Sequence, residues 1–375
     1  MASVAIYPIL GIPNTAELSI WDHWIGDGKD CRVRMTSLRR VVLVVGLLVC
    51  SARHFVGEEP VQIIASQRIE VRTPSGVSVV PLDISLDWSK PQPGVTRAVI
   101  LLHGKGRDVD GYYRGLQRAA REAGRGAAAS ILIAPQFLNE DDVKAHSLPS
   151  DVVRWRTGAW EAGGPAVGPA GISAYEILDA LLSRLADQAM FPNLKDIVLA
   201  GHSGGGQAVQ RYAVVGKAAS EIAAKGIHLR YVIANPSSYL YFSDERPGSH
   251  GFGCSGWDRW KYGTRGAPEY VKLTRAHGWP EMEADYAKAD VIYLMGDEDT
   301  DPQQKDLDVS CAGEAEGPTR LARGQSYFAY LRARHPADWA QRMWLVEGVA
   351  HSGPKMVEAP CGVKALFATG TCKDE

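Results

Sequence analysis

No block of basic residues, no zinc-type cysteine spacing and no apolar run long enough for a bilayer occurs in these 375 residues. Lys and Arg number 41 against 43 Asp and Glu, for a formal net charge of −2. Phosphate backbones are bound by clustered positive charge, so nucleic acid is not an expected partner. The longest purely apolar stretch, Val41 to Cys50, falls short of the roughly 20 residues a spanning helix needs. No CxxC occurs. The P-loop and HExxH are also missing, so neither a nucleotide cofactor nor a metal site is expected.

The first feature that is present has the pattern expected of an export signal. Arg39-Arg40 precede the apolar run, and Cys50-Ser51-Ala52 close it with small residues, the layout of a secretory signal peptide. Residues 1–34 carry mixed charge without periodicity, and Met35 stands where such a peptide would begin. The expected organisation is therefore a non-globular extension and signal over 1–52, with a true start at Met35. One domain follows over 53–375, with an insertion at about 235–289, and the product is secreted or periplasmic. No stable membrane span is expected after cleavage. Beyond Ala52 four cysteines remain, Cys254, Cys311, Cys361 and Cys372, an even number suited to an oxidising compartment. Three pairings are possible; the favoured set is the local Cys361–Cys372 with Cys254–Cys311 joining two long loops.

Gln67 to Arg72 and Val77 to Leu86 alternate as antiparallel strands do. Continuous apolar runs then appear at Ala98–Leu102, Ser130–Ala134, Asp196–Ala200, Arg230–Ala234, Val291–Met295 and Met343–Val346, the mark of strands buried on both faces. Helical stretches lie between several of them, at Tyr112–Ala123, Ala174–Gln188, Gly205–Val215 and Gln325–Arg334, with a last one at Pro354–Phe367. This alternation predicts an α/β fold, a mostly parallel sheet with helices on both faces. Two aromatic-rich interruptions, Asn139 to Ala170 and Asn235 to Ala289, are placed to roof a ligand site.

Gly201-His202-Ser203-Gly204-Gly205 matches G-x-S-x-G between a buried strand and a helix. A serine on so sharp a turn needs small neighbours, which Gly201 and Gly205 supply. A serine hydroxyl also needs a base to become nucleophilic. Of ten histidines, His23 and His54 flank the export segment, and His202 sits beside the serine, pointing elsewhere. His103 belongs to the loop after the first parallel strand, His103-Gly104-Lys105-Gly106. His351 alone follows the last strand. The acid is expected in the loop that opens with Gly296-Asp297-Glu298-Asp299 after Tyr293-Leu294-Met295, where Asp297, Asp299 and Asp301 compete. A calcium loop is excluded there, because Pro302 and Asp308 stand where an EF-hand needs glycine and glutamate. Lys105, Arg107 and Asp108 put charge at the expected mouth.

These motifs, HGKG, GHSGG, GDED and the corner Val346-Glu347-Gly348-Val349-Ala350-His351, occur in the order of the α/β-hydrolase superfamily, which the chain resembles over nearly all of its exported part. It looks closest to a branch of secreted bacterial and fungal serine hydrolases. There the elbow continues like Gln207-Ala208-Val209-Gln210-Arg211-Tyr212-Ala213, and Ala234-Asn235-Pro236-Ser237-Ser238-Tyr239 follows the next strand. The resemblance implies a Ser203–His351–Asp299 triad, since the acid corner of that fold reads G-x-x-D, with Asp301 the second choice. It also implies an oxyanion hole from the backbone N–H groups of Lys105 and Gly204, and it supports pairing Cys254 with Cys311. The expected activity is cleavage of a small-molecule, lipid or polymer carboxylic ester. A peptidase or amidase on the same machinery, or a silent binding protein on the same scaffold, are the alternatives.

Overall fold

A computed structural model of the chain describes residues 58–247, 253–274 and 278–372. The chain divides between Phe55 and Val56, and every described residue belongs to the part beyond. The expected signal peptide, with Met35 and Ala52, lies outside the described residues.

The elements run β1 (Gln67–Thr73), β2 (Gly76–Ile84), β3 (Arg97–Leu102), α1 (Val109–Ala123), β4 (Ser130–Pro135), the short β5 (Leu138–Asn139), α2 (Glu140–Ala145), the short β6 (Arg154–Trp155) and α3 (Ala174–Leu185). Then come β7 (Asp196–His202), α4 (Gly204–Val215), α5 (Ala218–Ala224), β8 (His228–Ala234), α6 (Glu269–Thr274), α7 (Trp279–Lys288) and β9 (Asp290–Gly296). The chain ends with α8 (Cys311–Glu314), α9 (Arg320–Arg334), β10 (Arg342–Val346), α10 (Gly353–Glu358) and α11 (Pro360–Phe367). Eight strands form the main sheet in the order β1-β2-β4-β3-β7-β8-β9-β10. β1 with β2 and β2 with β4 are antiparallel; all the other pairs are parallel. This is the α/β-hydrolase fold.

The continuous apolar strands are explained by burial on both faces. Side chains alternate along a strand, so neighbours enter opposite layers. Ile197 and Leu199 of β7 join the layer containing α3 and α4, whereas Val198 and Ala200 join the layer containing α1, α10 and α11. β3 divides likewise, with Ile100 and Leu102 on the first side and Val99 and Leu101 on the second. Truncating one of these, such as Leu199→Ala, would cost about 2–5 kcal/mol.

Three expectations need correction. The stretch Pro354–Phe367 is two helices, because Pro360 has no N–H for the preceding turn and instead opens α11. The aromatic insertions do not line the crevice at Ser203. Trp155 and Trp160 pack with Phe137, and Tyr239 and Tyr241 pack on Tyr327, so these rings build the core. Finally, α2, α5, α6, α7 and α8 fall where no helix was expected. Two disulfides, Cys254–Cys311 and Cys361–Cys372, tie the loops and the C-terminal helix as expected. Among the described residues no helix is long and apolar enough to cross a membrane.

Candidate active site

β7 carries its chain straight into α4, and Ser203 is the single residue that makes the turn. Its φ of 57° and ψ of −116° lie in a region that L-residues seldom occupy. The turn closes because the backbones come very near each other. A Cβ on Gly205 would lie 2.5 Å from the Leu102 carbonyl oxygen and 2.6 Å from that of His103. A Cβ on Gly201 would press on the Gly205 carbonyl. Ser203 N–H donates to Ala234 O at 2.9 Å, and Ser203 O accepts from Gln207 N at 2.9 Å. The hydroxyl is thus set on the sheet's carboxyl edge by main-chain contacts.

His351 meets that hydroxyl. Its Nε2 is 3.0 Å from Ser203 Oγ, and its Nδ1 is 2.7 Å from Asp299 Oδ2. A carboxylate can only accept, so Nδ1 carries the proton and Nε2 is free to accept from the serine. Asp299 is buried. Burial holds the His351 pKa below 6.5, and the Arg320 guanidinium pushes the same way, while the Asp299 hydrogen bond opposes both. Asp297 accepts from Gly348 N at 2.8 Å, and Asp301 is an exposed residue that accepts from Gln303 N at 2.8 Å. Of the three carboxylates in this loop, only Asp299 reaches the imidazole.

The loop after β3 lies against the elbow. A Cβ on Gly204 would stand 3.1 Å from Lys105 N, which puts the two expected oxyanion donors beside each other. His103 holds this loop. Phe137 N donates to its Nε2 at 2.9 Å, which leaves Nδ1 protonated and donating to Gly104 O at 2.7 Å. Burial takes the His103 pKa down to about 4, so the ring stays neutral. Lys105, Arg107 and Asp108, the charges expected at the mouth, all line the crevice at Ser203. Arg107 is buried and paired with Asp142 at 2.7 Å and with Glu58, so it braces the loop from inside. Asp108 caps α1 by accepting from Gly111 N. Lys105 stands 3.4 Å from Asp306.

Several participants gave no readable signal. His202 does not bond Ser203; its ring centroid lies 4.5 Å from that of His351, and its Nδ1 is 2.7 Å from the Tyr112 hydroxyl. Burial keeps its pKa well below 6.5. Glu161 lies buried against Gly204 and accepts from Gln207 Nε2 at 3.2 Å. Arg320, fully buried, approaches Asp299 Oδ1 to 3.7 Å. A crevice of about 250 Å³ opens at Ser203 and His351, with Lys105, Gln304 and Asp306 on its walls.

No protein-family model and no curated protein matches the chain. Solved structures with a similar fold include poly(aspartic acid) hydrolase-1 from Sphingomonas sp. KT-1, at 19% identity and TM-score 0.56, covering 81% of this chain and 98% of that one. Another is a poly(3-hydroxybutyrate) depolymerase from Bordetella parapertussis, at 17% identity and TM-score 0.56, covering 82% of this chain and 92% of that one. At such identities the likeness is one of fold.

Proposed function

We propose that the protein is an exported serine hydrolase that cleaves carboxylic esters through an acyl-enzyme. The observation that carries this reading is the continuous path from Ser203 Oγ to His351 Nε2 at 3.0 Å and from Nδ1 to Asp299 Oδ2 at 2.7 Å. Ser203 Oγ attacks the ester carbonyl as His351 takes its proton, and the imidazolium returns that proton to the departing alcohol. Water then attacks the acyl-enzyme with His351 again as base, releasing the acid and restoring the serine. Asp299 keeps Nδ1 protonated and offsets the charge of the imidazolium. The N–H groups of Lys105 and Gly204 hold the tetrahedral oxygen, where one such donor contributes about 3–4 kcal/mol.

Two disulfides belong with an oxidising compartment and support export. The test is labelling with a fluorophosphonate: the wild type should be labelled and Ser203→Ala should not. Equal labelling of both would remove the serine from the mechanism. Turnover of short and long p-nitrophenyl esters beside peptide amides, poly(3-hydroxybutyrate) and poly(aspartic acid) would then assign the bond cleaved.

A further inference from the structure

Helix α9 begins with Arg320, capped by Thr319, whose Oγ1 accepts from Ala322 N. Arg323 follows within the same turn, and both side chains are fully buried. Cations run against the positive end of a helix, and burying them costs several kcal/mol unless partners compensate. Arg323 finds backbone oxygens, Gly317 O at 2.7 Å and Ser237 O at 2.5 Å. Arg320 instead donates through Nε to Ser237 Oγ at 3.1 Å and through Nη1 to Gln304 Oε1 at 2.6 Å, with Asp299 Oδ1 3.7 Å from Nη1. Asp299 is therefore held at both oxygens, by His351 on one and by Arg320 on the other.

We infer that Arg320 is a positioning residue for the proposed relay, fixing Asp299 through Oδ1 so that Oδ2 stays on the imidazole. The inference rests on the triad reading above. Its second consequence is electrostatic. His351 is faced by Asp299 and Asp306 from the loop after β9, by Arg320 from α9 and by the neutral His202 from the elbow. The carboxylates raise the basicity of the imidazole, and the guanidinium lowers it. Arg320 itself is faced by Asp299, Asp306 and Arg323.

The test is the pH dependence of kcat/KM on one p-nitrophenyl ester for wild type, Arg320→Met, Arg320→Gln and Arg320→Lys. Loss of the cation should move the acid limb up by about half a pH unit or more. It should also lower kcat by about 10- to 100-fold as Asp299 loses its orientation. Gln keeps hydrogen-bonding capacity towards Ser237 and Gln304, so it carries the same expectation if the Met variant does not fold. Lys restores the charge without the planar fork: the limb should return to the wild-type position while kcat recovers only in part. A lower melting temperature with limb and kcat unmoved, in either neutral variant, would overturn the inference. Fluorophosphonate labelling of the wild type, run alongside, separates the two failures. An enzyme not labelled at Ser203 loses the triad itself, whereas a labelled enzyme whose limb ignores Arg320 loses only this inference.

Discussion

The proposed nucleophile elbow and the proposed acid corner sit at the same edge of the sheet but are held by different forces. The elbow is a main-chain construction, in which Ser203 is fixed by hydrogen bonds to Ala234 and Gln207 and by backbone approach at Gly201 and Gly205. The acid corner is a side-chain construction. Asp299 depends on His351 and Arg320, Gly296 N–H donates to Asn235 Oδ1 at 2.9 Å, and Asp297 ties Gly348. Steric demands select residue types at fixed spacing, whereas side-chain networks recruit partners from anywhere in the chain.

The largest test of this contrast is Ser203→Ala. It should lower kcat by about 10⁶-fold with little change in melting temperature, since the elbow's scaffold is backbone. A small loss would mean that the elbow does not hold the nucleophile. Asp299→Asn comes next, with an expected loss of about 10⁴-fold, because an amide cannot keep Nδ1 protonated in the same way. Asp301→Asn should stay within about twofold, as its carboxylate only serves a surface turn. Reversal of these two results would move the acid to position 301. Both are read from kcat on the same ester.

How much of this was legible follows the same division. The six buried strands were readable within one or two residues, because double-sided burial leaves an uninterrupted apolar run. That Ser203 and His351 come together was readable from strand-to-turn placement. Asp299 was narrowed only to a loop with Asp297 and Asp301, since all three carboxylates look alike until their distances to the imidazole are known. Arg320 and Glu161 were not legible as parts of the site. Their partners lie far off in sequence; Arg320 and Asp299 sit on different elements. A clue was nonetheless present, in two arginines crowding the first turn of α9 after Thr319, where a cation is disfavoured. The aromatic insertions misled because a ring that roofs a crevice and a ring that fills a core have the same composition.

Gly205→Ala probes the elbow's main chain directly. The added methyl meets two fixed carbonyl oxygens, so folding should lose about 1–3 kcal/mol, read by denaturant titration. A wild-type midpoint would show that the turn can relax, and the contrast with the acid corner would weaken.

A small effect is also expected where the two constructions meet across the mouth. Lys105, on the oxyanion loop, and Asp306, on the acid loop, pair at 3.4 Å with about 38% of each side chain exposed. An ion pair that open to water contributes about 0–1 kcal/mol and fades with salt. Asp306 has a φ of 68°, a left-handed geometry that asparagine also tolerates, so Asp306→Asn leaves the backbone unstrained. The variant should therefore keep kcat/KM within about threefold of wild type, with the difference shrinking in high salt. Its acid limb should move slightly down in pH, because a carboxylate that raises the basicity of His351 has been removed. That is opposite to the shift expected for Arg320→Met. Limbs moving the same way in both variants would mean that the imidazole responds to loosening of the loop rather than to charge.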